Sequence, residues 1–396
     1  MTQSRPKLWT KDFIVVSSVN FLITLVFYLL LVTIAVYAVD ELHATTSQAG
    51  LVTGIFIIGT LVGRLIIGRV IDLIGRKKTL FIGLALFILA TSLYYVNLGL
   101  TFLLFNRFLH GLTLGIASTA AGTIVAQIIP MTRKGEGIGY FSMSATLATA
   151  FGPFIGIYMS QHTSFSVIFG FCLILGVFSL CTTFFLYVPK TDKPIKIAES
   201  KGFKFSSFVE PKALPIAIIT FVIAFCYSSV LSFINFYAIE IDLVEAASFF
   251  FIVYAIVVLL SRPFTGRLVD VKGANYIMYP GFFILGAGMI LLSMAGTSFV
   301  FLLAGALIGL GFGNMQSTTQ AVAIKLTPPH RMGLATSTFF IFLDAGFGFG
   351  PYILGSIIPL TGYRTLYIIL GALVILTIIP YFFLYGRKEK AILLAE

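Results

Sequence analysis

Apolar residues dominate this chain in long unbroken runs, separated by short polar clusters that hold nearly all the charge. A helix needs about 20 apolar residues to cross a bilayer. Runs of that order lie near 13–39, 47–69, 79–97, 101–126, 137–160, 165–188, 214–239, 247–269, 276–295, 299–325, 334–358 and 363–386. The pattern predicts an all-α membrane protein with twelve transmembrane helices. Connections such as Asn97–Thr101 are so short that neighbouring helices should form antiparallel hairpins. The longest connection, 189–213, shifts to Lys, Pro, Ser and Glu. It reads as a cytoplasmic linker between two six-helix bundles, 1–188 and 214–396. The first run is too long for a signal-peptide core and lacks a convincing cleavage site, so it reads as the first span.

Composition strengthens this reading. The chain is 58% hydrophobic and 10% charged, with a mean hydropathy of +1.03; a soluble domain carries about 25% charged residues. The net charge of +11 would suit nucleic acid, but its placement does not. With the N-terminus inside, 22 of the 26 Lys and Arg fall in inner segments. Only Arg364 falls in an outer loop, and Arg64, Arg107 and Arg262 fall within spans. Cationic loops are retained on the cytoplasmic side and can touch anionic lipid heads. The expectation is a multi-pass plasma-membrane protein with both termini cytoplasmic. Cys172, Cys181 and Cys226 lie in apolar runs and read as packing residues. No metal or cofactor is expected, and a monomer is.

The chain repeats itself at an offset of 198. Arg64, Gly68, Arg69, Asp72 and Gly75 recur as Arg262, Gly266, Arg267, Asp270 and Gly273. Gly111, Gly115, Pro130, Arg133 and Gly152-Pro153 recur in the same way. A repeat that fills a membrane chain points to a transporter with its site between the halves.

Three segments carry candidate chemistry. The loop after the second run reads Gly68-Arg69-Val-Ile-Asp72-Leu-Ile-Gly75-Arg76-Lys77. Its glycines permit a tight turn, and its Asp can cap a helix or pair with a cation. The fourth span holds Arg107 and His110. A buried Arg is costly there unless paired, and a His titrates near neutral pH. The fifth span carries Gly152-Pro153-Phe-Ile-Gly156, matched by Gly350-Pro351 in the second half; Pro kinks a helix and Gly allows close packing. Asp344 is the only carboxylate well inside a span, about 15 Å deep at helical rise. Arg64 and Arg262 sit one turn before the loop signature, placed either to snorkel or to link at a gate.

These segments resemble the signatures of the major facilitator superfamily. The loop resembles its Gly-x3-Asp-x2-Gly-Arg-Lys latch, whose charges help hold an outward-facing state. The second copy has Ala274-Asn275 in place of the basic pair, which implies a weaker latch. The fourth span resembles a proton-coupling motif with His110 in place of Gln. The fifth resembles an exporter motif, with Ala148 and Ile157 as departures. The resemblance implies spans 1, 4, 7 and 10 around a central cavity. Candidates there are Asn20, Thr24, Tyr28, Tyr227, Ser228, Ser232, Asn235, Asn314, Gln316 and Gln320, besides Arg107 and His110. Exporters of the family often carry an acid in the first or seventh span. The first has none between Asp12 and Asp40. Asp344, Arg107, His110 and Glu240 therefore become the proton-coupling candidates.

The leading expectation is a proton-coupled exporter of a small organic molecule, drug-like or a metabolite or metallophore. A proton-coupled uptake symporter is the alternative on the same fold. A sensor or channel lacks the features either would need. An enzyme or ATP-driven pump is disfavoured, since no nucleotide-binding Gly-Lys loop, His-Glu-x2-His motif or Gly-x-Ser-x-Gly elbow occurs.

Overall fold

A computed structural model describes residues 6–189 and 208–389, without the side chains of Thr46 and Ser47. Most of the expected linker, 190–207, lies outside the described residues. The elements are helices: α1 Lys11–Leu42, α2 Thr46–Ile74, α3 Arg76–Ser92, α4 Leu100–Ile128, α5 Lys134–His162, α6 Phe165–Phe184, α7 Leu214–Glu240, α8 Val244–Lys272, α9 Asn275–Ser293, α10 Ser298–Ile308, α11 Asn314–Lys325, α12 Met332–Leu376 and α13 Ile378–Leu384. Hydrocarbon offers no partner for backbone N–H and C=O groups, so apolar runs of this length close their hydrogen bonds internally as helices. Polar caps mark several starts. Thr10 accepts from the Phe13 N–H, and Thr45 and Gln48 form a reciprocal capping box.

Eleven helical stretches among the described residues are long and apolar enough to cross a membrane. The last, Pro329–Leu384, is 56 residues, roughly 84 Å at helical rise. One crossing needs about 30 Å. The backbone leaves helical geometry inside it at Gly362, with φ 74° and ψ 169°. This break falls between the last two expected spans. A second irregularity, a π turn at Gly309–Gly313, joins α10 to α11.

The chain forms two compact units. Among the described residues, unit 1 comprises 6–130, 147–189, 208–210 and 328–340; unit 2 comprises 131–146, 211–327 and 341–389. Each thus includes one short stretch from the other half of the sequence, and the two stretches begin 197 residues apart (328 − 131).

Glycine governs the closest packing inside each unit. In unit 1, Gly59 and Gly63 on α2 meet the backbone of Phe108 and Leu112 on α4, and Gly111 and Gly115 on α4 meet the backbone of α2 in turn. A Cβ on Gly111 would overlap the Phe56 carbonyl oxygen, and one on Gly115 the Thr60 carbonyl oxygen. Backbone-to-backbone approach of this kind is open only to small residues. Further along, Gly152 and Gly156 of α5 lie on α1. A Cβ on Gly152 would stand 2.5 Å from Tyr28 Cβ, and one on Gly156 2.8 Å from the Leu29 oxygen. Unit 2 repeats the arrangement: a Cβ on Gly346 would stand 2.8 Å from the Phe221 oxygen of α7, and one on Gly350 would overlap Ser228 Oγ. Pro153 and Pro351 lie inside α5 and α12. The Gly-Pro pair in each unit is therefore a close helix–helix contact with a proline inside the helix beside it.

Candidate functional site

The repeated loop signature folds into two matching turns. Gly75 ends α2 at φ 99°, and Gly273 ends α8 at φ 94°. Only glycine takes this conformation without strain. One turn earlier stands the acid. In unit 1, Asp72 accepts from the Gly333 N–H at 3.3 Å, at the start of α12. Arg76 closes on the same carboxylate at 2.8 Å. Arg76 also donates to Gln127 Oε1 at 2.9 Å and to the Pro329 carbonyl at 2.7 Å. A Cβ on Gly68 would overlap the Ser337 side chain, whose hydroxyl donates to the Arg64 carbonyl at 2.6 Å.

In unit 2, Asp270 accepts from the N–H groups of Gly135 at 2.7 Å and Glu136 at 2.8 Å, in the first turn of α5. Lys325 meets it at 3.0 Å. A Cβ on Gly266 would stand 2.8 Å from Glu136 Cα. Both acids thus cap the N-terminal turn of a helix from the other half of the sequence. There the orphan N–H groups and the helix dipole favour a carboxylate.

The second copy lacks the basic pair, yet its acid is the more fully engaged: the Asp270 side chain is 3% exposed and the Asp72 side chain 18%. The cation has moved. Lys325 stands at the repeat position of Gln127 (325 − 198 = 127), so the charge that Arg76 supplies in one copy comes from a different helix in the other. The vacated positions have their own partner. Glu389 accepts from the N–H groups of Ala274 and, at 3.0 Å, Asn275, which open α9. The remaining cations of the signature lie outside these caps. Arg69 is exposed over the Phe208 ring, 5.3 Å to its centre. Arg267 is exposed, and Lys77 donates to the Leu186 carbonyl at 2.6 Å.

Arg107 and His110 lie fully buried within unit 1, among α2, α3 and α4. Arg107 donates to the Val52 carbonyl at 3.2 Å and to Tyr94 Oη at 3.1 Å, with its guanidinium 4.4 Å from the centre of the Phe56 ring. Tyr94 Oη lies 3.0 Å from His110 Nδ1, and Thr91 Oγ1 lies 3.3 Å from Nε2. Thr91 also donates to the Phe87 carbonyl at 2.8 Å. Each hydroxyl has one proton, so these contacts fix a direction. Thr91 spends its proton on Phe87 and accepts from Nε2–H; Nδ1 then accepts from Tyr94, which accepts from Arg107. Both ring nitrogens are thereby satisfied. Asn106, next to Arg107, lines a small cavity with Tyr37, Tyr94 and Asn97, and among the described residues neither end of its amide has a partner.

Replacing Tyr94 by phenylalanine would strand an Arg107 N–H and His110 Nδ1 together. Each stranded buried group costs about 1–3 kcal/mol. The midpoint of thermal unfolding in detergent is expected to fall by several degrees. An unchanged midpoint would break the assigned chain.

The expected cavity residues divide. On α1, Asn20 is buried, and Thr24 and Tyr28 are half-buried. On α7, Tyr227 and Ser228 are buried, Ser232 is half-buried, and Asn235 and Glu240 are exposed. Tyr227 stacks on Phe312 of the π turn at 4.0 Å, beside Tyr254 and Phe347. Asn314 bridges helices: it donates to Ser261 Oγ at 2.9 Å and accepts from Thr265 at 2.7 Å. Gln316 is half-buried, Gln320 is buried with its amide nitrogen unpartnered, and Asp344 is half-buried on α12. The pattern of the sequence did not single out Tyr94, Thr91, Lys325 or Glu389. Nothing local marks Tyr94 as a partner of Arg107, since the two lie on different elements.

The geometry is that of a helical membrane protein with paired acid caps and glycine-mediated helix contacts. A family model described as Major Facilitator Superfamily matches residues 16–351, and again 243–394. The chain belongs to that superfamily. An uncharacterized MFS-type transporter of Methanocaldococcus jannaschii is 28% identical, over 84% of this chain and 87% of its own. The staphylopine export protein of Staphylococcus aureus is 23% identical, over 86% of this chain and 88% of its own. The quinolone resistance protein NorA of the same species is 29% identical over 40% of each. Among solved structures, the human organic anion transporter MFSD10 superposes with a TM-score of 0.79 at 15% identity, covering 96% of this chain and 100% of that one. FucP, in its outward conformation, gives 0.75 at 15% identity, covering 96% and 99%. These two likenesses concern the fold. The chain is a multi-pass membrane transporter of this superfamily and not an enzyme.

Proposed function

We propose that this superfamily member is a secondary transporter that exports a small organic molecule in exchange for protons. Twelve spans carry it: Gly362 divides the last apolar stretch into the eleventh and twelfth. Both termini are cytoplasmic, and the protein works as a monomer in the plasma membrane without a cofactor. The observation that carries alternating access is the pair of acid caps. Asp72 on the first half holds the start of α12, and Asp270 on the second holds the start of α5, so a change of access would break and remake both. Export is supported by the Gly-Pro segments of α5 and α12 that pack on α1 and α7, and by relatives named for staphylopine export and quinolone resistance.

Among the proton-coupling candidates, Asp344 is the leading carrier. His110 has both nitrogens engaged, which suits a structural role, and Arg107 organises that chain. Glu240 is exposed at the end of α7 and suits an entry point. The aromatic group around Tyr227 and Phe312, with Gln316 and Ser232, suits a flat or apolar ligand.

In inside-out vesicles, a quinolone or staphylopine is expected to accumulate when the interior is acid, and a protonophore is expected to abolish accumulation. Accumulation indifferent to the gradient would overturn proton exchange, and accumulation only with an alkaline interior would favour the symporter. Asp344→Asn is expected to lose gradient-driven accumulation at least tenfold while folding normally. Unchanged driven transport would remove Asp344 as the carrier.

A further inference from the structure

Arg262 is 1% exposed, and among the described residues none of its three guanidinium nitrogens has a hydrogen-bond partner. An arginine stays charged under all ordinary conditions, and a buried ion without a partner is strongly unfavourable. Two carboxylates at this end of α8 are already committed. Asp270, two turns along α8, holds Gly135, Glu136 and Lys325, and Glu136 holds Arg133 at 2.7 Å.

The repeat supplies an internal control. Arg64, at the matching position in unit 1, lies with its guanidinium 4.4 Å from the centre of the Phe340 ring, and its NH1 is 3.5 Å from Thr119 Oγ1. The repeat positions of those partners are Ser142 (340 − 198 = 142) and Ser317 (119 + 198 = 317). At these repeat positions the second half carries serine where the first has an aromatic ring and a threonine. Opposite the Arg262 stem the wall is Gly139, where an added Cβ would sit 3.8 Å from Cδ. The second half has thus kept the cation, with serine at the repeat position of the ring that covers Arg64.

We propose that Arg262 holds a small monovalent anion. A compact negative charge meets the fork of the guanidinium with charge-assisted hydrogen bonds and balances it electrically, which water alone does not. Chloride and the carboxylate of a small organic acid share this chemistry. The site is independent of the direction of transport.

The test uses the full-length protein in detergent at fixed ionic strength, with sodium isethionate replaced stepwise by sodium chloride or by sodium acetate. Binding to the folded state alone raises the unfolding midpoint in a saturable way. Wild type and Arg64→Gln are expected to show that rise, and Arg262→Gln to lose it. A rise with chloride assigns an inorganic ion; a rise with acetate alone assigns a carboxylate. Arg262→Lys keeps the charge but not the fork, and its half-saturating concentration is expected to be at least tenfold higher. That comparison stands if the Gln variant fails to fold. A flat response of wild type to both salts, or an unchanged half-saturation in Arg262→Lys, overturns the proposal.

Discussion

Replacing Asp270 by alanine is expected to lower transport at least tenfold and to reduce thermal stability clearly. The change orphans the N–H groups of Gly135 and Glu136 and leaves Lys325 without its counter-charge, all around a carboxylate that is 3% exposed. Breaking a buried pair by removing one partner costs about 3–5 kcal/mol. Asp270→Asn retains one acceptor for a backbone N–H but no charge, so its loss is expected to be intermediate. Asp72→Ala should be milder, because Asp72 accepts from one backbone N–H, at 3.3 Å, besides its pair with Arg76, and is 18% exposed. Solvent then screens part of what is lost. Transport rates and unfolding midpoints of the three variants check the order. An Asp270→Ala protein as active and as stable as wild type would show that the cap on α5 holds nothing.

Gly111→Val is expected to prevent folding. Its Cβ would overlap the carbonyl oxygen of Phe56. That obstacle is backbone, so no side-chain rotation relieves it, and α4 would have to move off α2. Overpacking commonly costs about 1–3 kcal/mol and occasionally more; a fixed backbone atom on both sides puts this case at the upper end. Gly50→Ala on α2 is the control, since a Cβ there meets nothing within 4 Å. The measurement is the yield of monodisperse protein on size exclusion. A normal yield from Gly111→Val would mean that α2 and α4 do not touch through these glycines.

Much of this architecture is legible in the sequence because a membrane limits the choices. An apolar run must be a helix, and a Gly-rich repeat must be a contact. The acids at 72 and 270 stood out by recurrence, and the Gly-Pro pairs by their kink. The partners were less visible. Nothing local links Asp270 to Lys325 or Ala274 to Glu389; both contacts depend on which helix ends meet in three dimensions. The missing basic pair read as a weaker latch, whereas the structure puts a cation from α11 and an acid near position 389 in its place. The repeat also implied matching roles for Arg64 and Arg262. Their surroundings differ because Phe340 has only a serine as its mate. His110 looked equally able to titrate or to pack, and only the placement of Tyr94 and Thr91 shows both its nitrogens engaged.

The most direct test of the transport cycle is proton movement itself. Purified protein is placed in proteoliposomes holding a pH-sensitive dye, and a quinolone or staphylopine is added outside. Exchange of substrate for protons predicts that the interior becomes alkaline as substrate enters, with no response in liposomes lacking the protein. Acidification of the interior, or substrate entry with no change in pH, would contradict proton-driven export.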